Sequence, residues 1–347
     1  MAPDLSVADL VDMGDLDELL RRVDGFCDTR DWEGLADLRR RCRAAFERGR
    51  QLWPAASHAE YRLALEAPGR WAGPVVEPGA GRFALGPLSE VAASTHTWDE
   101  LAPHLPLSPE AALVAHERVV RGEDLRSDGR VDPHVVDLPL VLQPWEPAYP
   151  LAHYRAYEAT FDDAAPAPTS IEGEGEVEGE GEGEGEVGTG AGGPAPAAEA
   201  MAVEALVELV SAWTTQSGGT ARAVAVQGHA ADAVAAVAGD GNGGLVLVPV
   251  DAAPALATMA WAGASGGARG RRRGMAQGRF AAWWAAAALA GDAALDAWPD
   301  LGPHLGQVHF YRWHRTGPAT GWSLRLAAER PAGGVSFAIE ATDRPPA

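Results

Sequence analysis

Lysine is absent from this chain of 347 residues, and all 28 basic side chains are arginine. Without an ammonium group the chain can form no Schiff base, supply no P-loop lysine and offer no buried amine as a base. Pyridoxal-phosphate chemistry and Walker-type nucleotide hydrolysis are therefore excluded. Cysteine is scarce: Cys27 and Cys42 are the two thiols, too few for a disulfide framework or a four-thiolate metal site. Long apolar runs are missing, since the stretch 280–290 has only about half of the roughly 20 residues a membrane span requires. Positive charge is in deficit, with 28 arginines against 49 acidic residues and a net charge of −21. That balance argues against general nucleic-acid binding, which begins with accumulated positive charge. Asparagine occurs once, at Asn242, and isoleucine only at Ile171 and Ile339, the bias of a very GC-rich genome.

The opening MAPDLSVADLVDMGDLDELL has no basic stretch followed by an apolar core, so no signal peptide is read there and a soluble cytoplasmic protein is expected. Between Ala164 and Ala200, glutamate alternates with glycine or valine from Glu172 to Glu186. The alternate positions supply almost nothing to bury and the charges repel, so this tract is expected to be a disordered, acidic linker. It divides the chain into an expected mostly α-helical domain (1–163) and an α+β domain with a mixed sheet (201–347).

In the first part, Leu16, Leu19, Leu20, Val23, Phe26 and Cys27 recur at helical spacing, as do Leu35, Leu38, Cys42, Ala45 and Phe46. The short link through Thr29, Arg30 and Asp31 makes these an antiparallel helix pair with Asp31 as N-cap. Further helices are expected from Pro54 to Pro68, at 88–93, at 98–105 and at 109–121. The proline-rich DLPLVLQPWEPAYP is read as irregular. In the second part a helix at 201–213 precedes two apolar runs, 221–228 and 245–250, separated by an alanine-rich helix at 229–238. These read as a β-α-β unit, with three closing strands at 307–315, 321–328 and 334–341.

The sharpest candidate site is GGARGRRRGMAQGRFAAWW (266–284). Its Arg269, Arg271, Arg272, Arg273 and Arg279 could grip an anion, because guanidinium forks match carboxylate and phosphate geometry. Glycines at 266, 270, 274 and 278 each cost about 1 kcal/mol within a helix. Either the backbone approaches something closely there, or the arginines sit on a loop leading into a helix that starts near Gly274. Phe280, Trp283 and Ala287 are spaced as core residues. Gly228-His229 follows a strand and opens a helix, where open α/β sheets bind ligands, so His229 joins the candidate site. His96, Glu100 and His104 have partial metal-ligand spacing, but Pro103 interrupts them and a Thr97 cap explains the string. No metal and no cofactor are implied.

The strings GRFALGPLSEVAASTHTWDELAPHL and GRRRGMAQGRFAAWW resemble an uncharacterised actinobacterial protein family with no known activity, across both parts of the chain. The resemblance implies no catalytic residue. The expected function is a non-catalytic binding or scaffold protein of unknown partner, a protein or an anionic small molecule, with its two modules joined by the flexible acidic linker. The alternative is an enzyme or ligand sensor that holds an anionic small molecule through Arg271, Arg272, Arg273, Arg279 and His229.

Overall fold

The computed structural model describes residues 5–132, 134–162, 199–239, 244–315 and 321–344. Nearly all of the tract from Ala164 to Ala200, expected as a linker, lies outside the described residues. The first part is helical: α1 (Val7–Met13), α2 (Leu16–Thr29), α3 (Trp32–Glu47), α4 (Trp53–Glu66), α5 (Gly69–Ala72), α6 (Leu88–Thr95), α7 (Trp98–Leu101) and α8 (Pro109–Val120). The small hairpin of β1 (Ala152–Tyr154) and β2 (Ala159–Phe161) follows. The second part runs α9 (Ala200–Leu209), β3 (Thr220–Gln227), α10 (Ala230–Ala238), β4 (Leu245–Val250), α11 (Ala252–Ala264), α12 (Met275–Ala290), α13 (Asp292–Asp296), α14 (Gly302–Leu305), β5 (His309–Arg315), β6 (Trp322–Arg330) and β7 (Val335–Asp343).

The α2–α3 pair forms as its spacing requires, with Leu19, Val23, Cys27, Leu35, Leu38 and Cys42 buried. Asp31 accepts from the Gly34 N–H at 2.9 Å and so starts α3. Thr97 and Glu100 close a capping box on α7, whereas Ser108 begins α8 without a side-chain cap bond. The helix expected at 98–105 stops at Leu101 and tightens into a 3₁₀ turn, Ala102–His104, where Pro103 has no N–H to continue the ladder.

The α+β architecture of the second part is as expected, but its sheet differs in detail. The order is β3-β7-β6-β5-β4, and every neighbouring pair is antiparallel rather than mixed. β3 and β4 take opposite edges instead of pairing as a β-α-β unit. The hairpin-linked strands β5, β6 and β7 lie between them, and β7, buried along most of its length, belongs inside the sheet. One face, through Leu324, Leu326, Phe337 and Ile339, packs under α9, α11 and α12. The other, through Val226, Trp313, Ala327 and Ala338, packs under α10.

Gly278 explains itself where α11 crosses α12. A Cβ there would sit 2.2 Å from the Ala260 carbonyl oxygen and 2.8 Å from Ala264 Cβ, so only glycine permits the approach. The larger core draws on both parts of the chain: Val120, Val136, Leu138 and Tyr149 pack with Leu206, Leu256, Trp283 and Phe337. Trp145 meets Trp283 at 4.6 Å between ring centroids. Val114, Leu101 and Tyr61 belong to a second core within the helical part.

Candidate functional site

The arginine-glycine run is a tight loop leading into α12, which starts at Met275 behind Gly274 at φ +97°. Both sequence expectations for its glycines are met, the loop before Gly274 and the close backbone approach at Gly278. Arg271 is exposed and donates to the Gly81 carbonyl at 2.8 Å. Arg273 reaches Gln277 Oε1 at 3.0 Å. Arg269 is held through its backbone N–H, 2.7 Å from Ser217 Oγ.

Arg272 and Arg279 turn inward. Arg272 is bidentate on Glu90 of α6, at 2.7 and 2.8 Å. Arg279 is bidentate on Glu146 at 2.7 and 2.8 Å, and both side chains of that pair are 0% exposed. Each carboxylate is a hub. Glu90 also accepts from the Tyr154 hydroxyl at 2.6 Å and the Met275 N–H at 3.2 Å. Glu146 accepts from Tyr149, from Trp283 Nε1 at 2.9 Å and from the Gln143 N–H. Burial alone would raise both carboxyls, but the guanidinium opposite and these donors hold each below its ordinary range.

A third carboxylate, Glu117 of α8, accepts the Ala276 N–H at 2.7 Å and pairs with Arg121 at 2.7 Å. The first turn of α12 is thus capped by acids from the helical part, Glu90 and Glu117, which satisfy amides that its own backbone leaves open. Burial, together with the neighbouring Glu90 charge, pushes Glu117 up to about 7. His116 lies 3.4 Å from Arg279 through Nδ1, and its Nε2 is buried with no hydrogen-bond partner among the described residues. Burial and the Arg279 charge press it down to about 4.

His229 stands elsewhere. It is the N-cap of α10, its side chain 84% exposed and 3.2 Å from Glu329. The sheet lies between α10 and α12, so His229 is not brought to the arginines. His96 is buried, with Nε2 2.8 Å from the Ala67 carbonyl and Nδ1 3.0 Å from that of Ala92. Among the described residues no group of three or more His, Cys, Asp or Glu side chains is placed to hold a metal ion. Both thiols are buried, which pushes them up to about 12. Trp283 and Ala287 are core residues; Phe280 is instead 39% exposed, packed edge-on against Trp298 on the outer side of α12.

Sequence reasoning missed the acids. Glu90 in LSEVAAS and Glu117 in VAHERVV each lie in a helix stretch whose residues are mostly buried. A charge in such a position needs a partner, and that was the signal available.

A family model matches residues 17–345, nearly the whole chain including both arginine-bearing strings. The chain belongs to a family of unknown function, DUF6183. No curated protein and no solved structure matches it. Among the described residues no helix is long and apolar enough to cross a membrane.

Proposed function

We propose that this DUF6183 chain is a non-catalytic binding protein, acting in the cytoplasm through contact with a partner protein. The observation that carries this reading is the fate of the candidate residues. Arg272 and Arg279 are engaged by Glu90 and Glu146 inside the fold, while His229 caps a helix beyond the sheet. An enzymatic reading needs an acid, a base and an anion grip converging on one open pocket. The burial of Cys27 and Cys42 as free thiols accords with a reducing compartment.

Thermal unfolding of the full chain with nucleotides, inorganic phosphate and small dicarboxylates tests the reading. A ligand at about one hundred times its Kd would stabilise the fold by about 2.7 kcal/mol. No shift is expected. A stabilising anion whose effect disappears in Arg271→Ala, Arg273→Ala would favour the ligand-sensor alternative instead.

A further inference from the structure

We infer that the arginine loop at 269–273 and the loop at 81–86 together form a docking surface for an acidic segment of a partner protein that carries large apolar side chains among its carboxylates. The inference rests on the binding reading and specifies its surface. Arg271 donates to the Gly81 carbonyl at 2.8 Å, so a loop of the α+β part meets a loop of the helical part. Phe161, at the end of β2, adjoins the same run, with its ring centroid 4.8 Å from the Arg272 guanidinium.

The apolar side chains of this surface are held in place. Phe83 is 60%, Leu85 42% and Phe161 43% exposed. Yet the loop that carries the first two is pinned through its backbone. The Gly81 N–H donates to Glu60 at 2.7 Å, the Phe83 N–H to Ser57 Oγ at 2.8 Å and the Ala84 N–H to the Gly81 carbonyl at 2.9 Å. Gly86 passes so close to Tyr154 that a Cβ there would sit 2.1 Å from the hydroxyl. Large apolar side chains exposed on a fixed backbone are preorganised for a partner.

The charge around them is positive. Arg82, Arg269 and Arg271 are exposed and Arg273 is half-buried, and none has an ion-pair partner among the described residues. Arg271 and Arg273 bond Gly81 and Gln277 through one nitrogen each, leaving most of their five N–H donors open. The acids that adjoin the two loops are engaged: Glu90 by Arg272, Glu117 by Arg121, Glu60 by Arg39 and Arg43, and Asp162 by His153. Asp343, which accepts the Ala268 N–H at 2.5 Å, is 2% exposed and sets one buried charge against these four guanidinia. Arginine and aromatic side chains are what protein interfaces concentrate, and guanidinium forks match carboxylates.

The apolar side chains decide between occupants that share the charge. A nucleic acid would satisfy the guanidinia, but the chain's net charge of −21 repels a polyanion. The chain's own run from Glu172 to Glu186 has carboxylates but glycine at most alternate positions, so it has little to cover Phe83 and Leu85.

The experiment titrates the full chain into labelled peptides of about twelve residues, read by fluorescence anisotropy. One alternates aspartate with leucine, one aspartate with glycine and one arginine with leucine. The first should bind roughly tenfold more tightly than either of the others. Arg271→Ala, Arg273→Ala should weaken it roughly tenfold, and so should Phe83→Ser, Leu85→Ser. Arg40→Ala, Arg41→Ala, which removes the same charge from exposed positions on α3, should leave it unchanged. Equal binding of the three peptides, or of none, overturns the inference, and so does an equal loss in the α3 variant. Tighter binding of a single-stranded DNA of about the same length, lost in Arg271→Ala, Arg273→Ala, would overturn it in favour of a nucleic acid. Peptide binding that appears only after Glu172–Glu186 is replaced by glycine and serine would overturn it in favour of the chain's own run. Failure of every peptide with no shift from small anions removes this surface and leaves the binding reading. An anion shift lost in Arg271→Ala, Arg273→Ala removes the binding reading itself.

Discussion

Arg279→Ala should lower the unfolding free energy by about 3–5 kcal/mol, the usual cost of breaking a buried, hydrogen-bonded ion pair. The cost comes from what stays behind. Glu146 would be left buried without its countercharge, with Tyr149, Trp283 and the Gln143 amide as its remaining donors. The carbonyls of Pro139 and Val141, which now accept from the guanidinium, would lose that donor as well. Urea unfolding followed by tryptophan fluorescence measures the loss directly. An effect below about 1 kcal/mol, the range of surface pairs, would mean that the pair is open to solvent.

Glu117→Gln should change the pH dependence of stability more than its magnitude at any one pH. Glu117 is raised from an ordinary value of 4.5 to about 7, so between those values the folded chain holds a proton that the unfolded chain has released. Its contribution is complete below 4.5 and is lost as pH rises through about 7. His116 runs the other way. It is lowered from 6.5 to about 4, so its contribution is complete above 6.5 and is lost as pH falls through about 4. Over the shared window the two slopes oppose, and the native chain should show little net dependence from this pair. In Glu117→Gln the histidine slope remains, and stability should rise by up to about 1.4 kcal/mol per pH unit between about 4.5 and 6.5. His58, also lowered by burial, adds to that slope. The carboxyls held low by arginines, such as Glu90 and Glu146, titrate below this window. Urea unfolding at intervals of pH tests the expectation, and identical slopes in both proteins would contradict it.

What the sequence disclosed follows from how local each signal is. The helix pair α2–α3 was legible because apolar spacing and the Asp31 cap lie within a few residues of one another. The five strands were legible from alternation and from glycine-proline turns, with β4 found at 245–250 as read. Strand order was not legible. Whether β3 lies beside β4 or beside β7 depends on contacts made across more than a hundred residues, such as Ala223 with Ile339. The arginine cluster was visible for the same local reason, and its chemistry was hidden for the opposite one. Glu90 is 182 residues from Arg272, and Glu146 is 133 from Arg279. Alanine-rich sequence further weakened helix boundaries, as where α9 ends at Leu209 and a π-helical turn follows at Trp213–Ser217.

Through the Arg272–Glu90 and Arg279–Glu146 pairs the arginine run ties the helical part to the α+β part, and the two are expected to unfold as one cooperative body. Differential scanning calorimetry of the full chain beside Arg279→Ala tests it most directly. One endotherm is expected, with calorimetric and van't Hoff enthalpies equal, and in Arg279→Ala that whole endotherm should move to lower temperature. Two separate endotherms, one of them unmoved by the substitution, would contradict it.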